Sequence, residues 1–599
     1  MNKKIMWMML SGIMALSLVM TACGSAAEEE DGEVAEEEVV SADMPKYGGT
    51  ISLVQVRDIT VWDDIVTKTT TPGAVYGMTN EPLWAGDWAL GNAGGYGKGV
   101  TDWATYYDRF EHKAGYLAES WEWTVDAANN MGTVVYQIRP GTSYALNAAP
   151  WAEAAQLVNG RDVTMDDIIY SLKANITDDR AYIYRANPEL REAEITQTDT
   201  WEITINVPLP ALYNTIGRFG NYGRVVPPEV VEKYGDMANW KTSVGSGPFV
   251  LSDHVEGSSA TLVRNPDYWG TDPVGPGKGN QLPYLDGYTF LIIPDLSTRL
   301  AALRTGQLDQ LSSISTEDAI QMRSTAPKLV EFERPGGGQP TISMRTDKPP
   351  YDDVRVRRAL MMATDFEAVN DSFYEGRGQI LTWPYAYSTT YADLYLGLDD
   401  PEMPDSVKEL YVYNPEKAKE LLAEAGYPEG FKTTALITAS QVDYYSIVKD
   451  MWSKVGVEID LDVKERGAWQ VIMRKHEHEA LAYYPQGPVS MFYTAIPLRG
   501  TSPSNAQMLD DPIINEALDR MLVTLASEGE TAGMAIYKDL MKYVLDQAFV
   551  IPGASGFSSH FWWPWLKNYT GEFAVGFGFS NNWTPWVWVD QELKQTMGY

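Results

Sequence analysis

One cysteine, Cys23, is all that the 599 residues contain, and this restricts the fold more than any other feature. No intramolecular disulfide and no all-cysteine metal or redox site can form, so buried apolar surface has to hold the chain together. The means are present. Hydrophobic residues make up 44% and aromatics 12%, with 20 Trp and 35 Tyr, which excludes global disorder. At roughly 100–200 residues per domain, the length predicts three or four domains. Trp562, Trp563, Trp565, Trp583, Trp586 and Trp588 crowd one short stretch. At that density most belong to a core, and two or three remain for the wall of a cleft.

The position of the cysteine is as informative as its solitude. Lys3 and Lys4 precede an apolar stretch from Ile5 to Ala22, which ends in Thr21-Ala22-Cys23-Gly24. A charged start, an apolar middle and a small-residue end describe a secretory signal over 1–22; an uncleaved signal anchor is the alternative, because the stretch is long enough to span a bilayer. The segment resembles a bacterial lipoprotein signal, with Met20 where leucine is usual. That resemblance implies cleavage before Cys23, lipidation of its sulfur and a lipid anchor in the cell membrane, at the cell surface or in the periplasm; a free thiol is the alternative. Residues 23–45 then carry nine carboxylates and no cation, a run that repels itself into a flexible acidic tether.

The formal net charge is −34. With the two lysines of the signal and the nine acids of the tether set aside, 45 basic and 72 acidic residues remain on 46–599, a net of −27. Such a surface repels phosphate backbones, so nucleic acid is excluded as a partner. No other segment approaches the length of a membrane span.

Within the body, helices and strands alternate without a repeat of 20–50 residues, which argues against solenoids and propellers. Thr164 is placed to cap a helix in which Met165, Ile168, Ile169 and Leu172 share a face, with Asp166 and Asp167 in its positive first turn. The same spacing recurs at Val356, Ala359, Leu360 and Ala363. Between 413 and 463, Asn414 caps a helix with Pro415 at its first position, and Ala418, Leu421, Leu422 and Ala425 form its buried stripe; Gly426 and Pro428 stop it. A second helix, with Tyr444, Val448, Met451 and Val455 on one face, ends at Gly456. Val457, Ile459, Leu461 and Val463 then alternate with polar residues as a strand with one buried face. Helix, helix and strand in this order predict an α/β lobe. Strands are also expected at 133–139, 201–207 and 260–264. Residues 85–116, rich in Gly, Trp and Tyr, read as an ordered aromatic loop region or, alternatively, a lid.

Enzyme signatures are missing. There is no cysteine nucleophile in the body, no Gly-x-Ser-x-Gly elbow, no phosphate loop and no His-Glu-x-x-His helix. Gly245-Ser246-Gly247 runs into Pro248 and reads as a turn. On a strand, His476 and His478 would share a face and could bridge a metal; a solvated charged stretch is the simpler reading. Neither a metal nor a cofactor is expected. A secreted glycan-degrading enzyme, working through two carboxylates, is the alternative of a different class. A surface scaffold without a small ligand is a third reading.

Several stretches taken in order resemble the extracytoplasmic solute-binding proteins of ABC transporters, in the peptide- and nickel-binding family known as family 5. They are Tyr47-Gly48-Gly49-Thr50, Glu81-Pro82-Leu83, Leu117-Ala118-Glu119-Ser120-Trp121, Ile138-Arg139-Pro140-Gly141 and Val163 to Ser171. Gly245-Ser246-Gly247-Pro248-Phe249, Arg264-Asn265-Pro266-Asp267-Tyr268-Trp269-Gly270 and Leu282-Pro283-Tyr284-Leu285-Asp286 follow. Tyr351 to Arg357 and Asn414 to Pro428 complete the series. Together they extend over most of 47–470.

The resemblance implies an α/β, two-lobed periplasmic-binding-protein-like fold of class II, in its large form with an extra domain. The first lobe would combine 46–75, 213–340 and 545–599; residues 76–212 would be the extra domain, and 341–544 the second lobe. It further implies a monomeric, non-enzymatic receptor of an ABC importer, which binds a peptide or peptide-like solute between the lobes and delivers it to permease subunits. The same role for a sugar, an opine or a metal chelate is the alternative.

In peptide-binding members, an Asp in the second lobe meets the free amino group of the peptide. The corresponding run, Leu481 to Pro488, carries Tyr484 near that position and no acid. Either another acid serves, or the solute is not an ordinary free peptide. Candidate ligand contacts are the aromatic Trp383, Tyr385, Tyr483 and Tyr484, which suit a ring face, and Arg474, placed to meet a carboxylate.

Overall fold

Local sequence signals start several of the helices. Thr164 accepts a hydrogen bond from the Asp167 amide, and the Asp167 carboxylate accepts one from the Thr164 amide; this capping box opens the helix Met165–Thr177. Asn414 accepts from the Lys417 amide ahead of the helix Pro415–Glu424, and Asp353 caps Val354–Met362. In each, the residues of the apolar stripe turn inward, with Leu421 and Ala425 only partly covered.

The computed structural model describes residues 44–63, 65, 77–103, 109–335, 341–484, 498–500, 505–576 and 581–599. The signal, most of the tether and Cys23 lie outside them, as does Pro485 to Pro488. The elements below belong to one unit, Pro45–Tyr599. Among the described residues no helix is long and apolar enough to cross a membrane.

Four main sheets organise the chain. The first has the order Thr50–Gln55, Gly287–Ile292, Ser259–Arg264, Phe249–Val255, its first pair parallel and the others antiparallel. Between the first and last of these strands in sequence, an insertion builds its own antiparallel sheet, in the order Ala118–Asp126, Met131–Ile138, Glu202–Pro208, Glu194–Asp199. A three-stranded antiparallel sheet follows, with Phe557–Trp562 between Gln310–Ser315 and Val330–Pro335. The last sheet has the order Val457–Lys464, Phe431–Thr438, Leu481–Ala482, Ile342–Met344, Val550–Ile551, its first three strands parallel.

Two sequence expectations need correction here. The unit at 413–463 is helix, strand, helix, strand, because Phe431–Thr438 forms a further strand that lies parallel to Val457–Lys464. Its run Ala435-Leu436-Ile437 is buried on both faces and so shows no alternation. Val463 is exposed, since Val457–Lys464 is an edge strand whose far end leaves the core. The six clustered Trp are all buried, packed with the first and three-stranded sheets. The described part of 85–116 is ordered, with Trp84–Gly86 paired to Lys113–Gly115 and both Trp88 and Trp103 buried.

Candidate functional site

Topology singles out one place. The chain leaves the three-stranded sheet at Pro335 and joins the five-stranded sheet at Ile342, and it crosses back between them at 552–556. Both passages leave the five-stranded sheet on the side where its three parallel strands end, at Thr438, Lys464 and Ala482. Ligands of open α/β sheets collect outside the carboxyl ends of parallel strands. Here that edge also receives both connections to the three-stranded sheet.

The residues that follow these strand ends build an aromatic shelf. Tyr483 and Tyr484 continue the short strand Leu481–Ala482; the Tyr483 amide donates to the Leu436 carbonyl at 3.0 Å, and the Thr341 hydroxyl donates to the Tyr484 carbonyl. Tyr445 fixes the passage from below, its hydroxyl donating to the Thr341 carbonyl at 2.8 Å. Trp469, on the helix Arg466–Arg474, brings its ring centroid to 5.7 Å from Tyr483 and 6.3 Å from Tyr484, at 34° and 38°. Its indole N–H is buried with no hydrogen-bond partner among the described residues, and Leu436, Met473, Ala482 and Ala506 pack round the ring. Burial pushes the Tyr483 hydroxyl upward in pKa, with Arg466 opposing, so it stays a neutral donor.

The five sequence candidates are not brought together. Trp383 and Tyr385 are buried in a different core, where the Tyr385 hydroxyl donates to the Leu394 carbonyl at 2.7 Å and its ring lies 5.8 Å from Tyr537. Arg474 is exposed at the far end of its helix. That helix runs back from the strand ends, and at 1.5 Å per residue it carries Arg474 about 12 Å from Arg466. Only Tyr483 and Tyr484 of the five stand on the shelf.

The histidine pair sits on no strand. His476 has a left-handed backbone just after the helix, and Arg345 donates to the carbonyls of both His476 and His478 at 2.9 Å. His478 is buried, and burial pulls its pKa down to about 4, so its neutral ring donates from Nε2 to the Ala506 carbonyl at 2.8 Å. Among the described residues no group of three His, Cys, Asp or Glu is placed to hold a metal.

Across the passages, the three-stranded sheet contributes a polar face under an aromatic cover. The Arg334 guanidinium lies 4.7 Å over the Phe573 ring, and the buried His560 ring meets the same phenyl edge-on at 6.4 Å. Neither His560 nitrogen has a hydrogen-bond partner among the described residues, and burial with the Arg334 charge nearby keeps the ring neutral. Glu572 is buried beside them and its pKa is raised by burial, while the Thr570 amide donates to it at 2.7 Å. Arg377 spans toward this sheet, paired with Glu333 at 2.5 Å and lying 5.0 Å over Phe557. Gln379 and Ser555 exchange two backbone hydrogen bonds of 2.8 Å, which pins the second passage.

Sequence reasoning missed Trp469, Arg334, His560 and Glu572. For Trp469 the signal was present, since Trp469 and Met473 stand at i and i+4 on one face. Nothing in pattern or spacing marks the other three. A cavity of about 30 Å³ lined by Met78, Glu81, Tyr116, Tyr268, Leu282 and Trp586 has room for a water and not for a solute.

Residues 115–504 match the family described as bacterial extracellular solute-binding proteins, family 5 Middle. Heme-binding protein A of Haemophilus influenzae is 28% identical over 366 residues, which cover 57% of this chain and 60% of that protein. The dipeptide-binding protein of Escherichia coli K12 is 25% identical over 386 residues, 61% of this chain and 66% of that one. The chain therefore spans about three fifths to two thirds of the length of these curated relatives. The structure of the periplasmic binding protein DppA of Helicobacter pylori in complex with the peptide STSA superposes over 91% of this chain and 99% of its own, with a TM-score of 0.66 at 19% identity.

Proposed function

Because the chain belongs to the bacterial extracellular solute-binding proteins of family 5, we propose that it is the extracytoplasmic receptor of an ABC importer, binding a peptide or peptide-like solute and releasing it unchanged to a membrane permease. The observation that supports this most is the aromatic shelf of Trp469, Tyr483 and Tyr484, which lies where parallel strands end and the chain passes between two sheets. Rings at that edge offer a face to a flat or extended solute, and closure of one half on the other would enclose it. In this reading 46–75, 213–340 and 545–599 form one lobe, 341–544 the other, and 76–212 an added domain. A cleaved signal and a lipid on Cys23 hold the receptor at the outer face of the membrane as a monomer.

A second reading is a metal chelate as solute. The first relative above is named for heme, and the run at Tyr484 offers no carboxylate to an ammonium group.

Melting the purified chain with pools of peptides, N-acetylated peptides, sugars, opines and porphyrins tests both. A solute that binds the folded state raises the melting temperature, by about 2.7 kcal/mol of stability at a hundred times its Kd. A shift with one peptide class, recovered intact, is expected. A shift with porphyrin alone supports the second reading, and altered solute or silence across all pools overturns the receptor role.

A further inference from the structure

The inserted segment joins both halves of the molecule. It leaves the first sheet's half and returns to it, and Glu81 ties it there, accepting from the Tyr268 hydroxyl at 2.9 Å, the Trp269 indole at 3.0 Å and the Ser246 hydroxyl at 3.2 Å. Yet it also packs on the helix pair Pro512–Ser527 and Glu530–Asp546, which leads directly into Val550–Ile551 of the five-stranded sheet. Leu209 and Leu212 share one core with Leu518, Leu522 and Leu525, and the Trp123 indole donates to the Ala526 carbonyl at 2.8 Å. This contact spans the halves away from the two passages.

At its border stands a buried carboxylate. Gly529, with φ near +95°, reverses the chain so that Glu530 points back into the insertion. There the Phe110 amide donates to Oε2 and the Tyr213 hydroxyl to Oε1, both at 3.0 Å. Arg109 continues the seam, its Nε donating to the Thr390 carbonyl at 2.9 Å and its guanidinium pairing with Asp393. Among the described residues, the other charged or titratable groups facing the seam are Lys113, Glu111, His112 and Tyr391.

We propose that Glu530 is a proton-operated latch, holding the inserted domain against the second lobe so that the receptor closes more readily in acid and opens as the pH rises. The proposal rests on the two-lobed receptor reading. Burial raises Glu530 to about 7 despite its two donors and the nearby Lys113 and Arg109, whereas in an opened, hydrated seam it returns toward 4.5. The closed form thus binds the proton more tightly. Between pH 4.5 and 7 the closed form loses a factor of about 300 relative to the open one.

Small-angle scattering of the full chain at pH 5.5 and 8.5 tests this. The radius of gyration should rise at pH 8.5 in the wild type, stay compact at both in Glu530→Gln, and rise as in the wild type in Glu81→Gln, whose carboxyl lies on the other joint. Tyr213→Phe, which removes a donor to the carboxylate, should move the opening midpoint to higher pH. Opening at pH 8.5 in both the wild type and Glu530→Gln removes the latch and leaves the two-lobed receptor standing. One dimension at every pH in all four proteins removes the latch, and a wild-type dimension that also stays fixed when the solute found by melting is added removes the two-lobed receptor.

Discussion

Glu81 shows how burial outweighs hydrogen bonding at a single carboxyl. Three donors favour its ionised form, but full burial raises its pKa to about 7 from an ordinary value near 4.5. A carboxyl raised on folding gives stability that is complete below about pH 4.5 and is lost as the pH climbs through 7. At about 1.4 kcal/mol per pH unit, the loss is roughly 3 kcal/mol. Urea unfolding at pH 5 and pH 8 should therefore show a decline that Glu81→Gln flattens; an unchanged decline in that variant would place the titration elsewhere. His560 is the opposite case, a buried ring with no hydrogen-bond partner among the described residues. Replacing a buried unpaired polar group by an apolar one of similar shape is neutral or favourable. His560→Phe should keep or raise the melting temperature, and a fall of several degrees would show that the ring makes a bond in solution.

At the scale of elements, the capping box of Met165–Thr177 is reinforced from outside. Arg161 pairs with Asp167 at 2.6 Å and with Glu229 at 2.7 Å, which ties the helix start to the helix Pro228–Tyr234. Thr164→Ala should cost about 1 kcal/mol in denaturant unfolding, and Asp167→Ala more, because it also takes from Arg161 one of its two carboxylate partners. Elements of this kind were legible because cap and stripe are local. The strand Phe431–Thr438 was not, because a strand covered on both faces loses its period of two. The site was legible in residue type and illegible in place: Tyr483 and Tyr484 could be marked as aromatic, but which end of a strand meets the passages is set by pairing among segments more than a hundred residues apart. Arg474 was misjudged for the same reason, since a helix that follows a strand returns toward the opposite end of the sheet.

For the molecule as a whole, the proposed receptor role gives the lone cysteine the task of anchoring and the two connections between the sheets the task of closure. Cys23→Ser should release the protein from the membrane fraction, and retention there would point to an uncleaved anchor. The central claim concerns the shelf, and calorimetric titration of the solute found by melting tests it most directly. One solute should bind per chain and be recovered unaltered, with affinity reduced at least about tenfold in Trp469→Ala and in Tyr484→Ala, as expected for losing a well-packed aromatic contact. Wild-type affinity in both variants, or a solute recovered chemically changed, would contradict it.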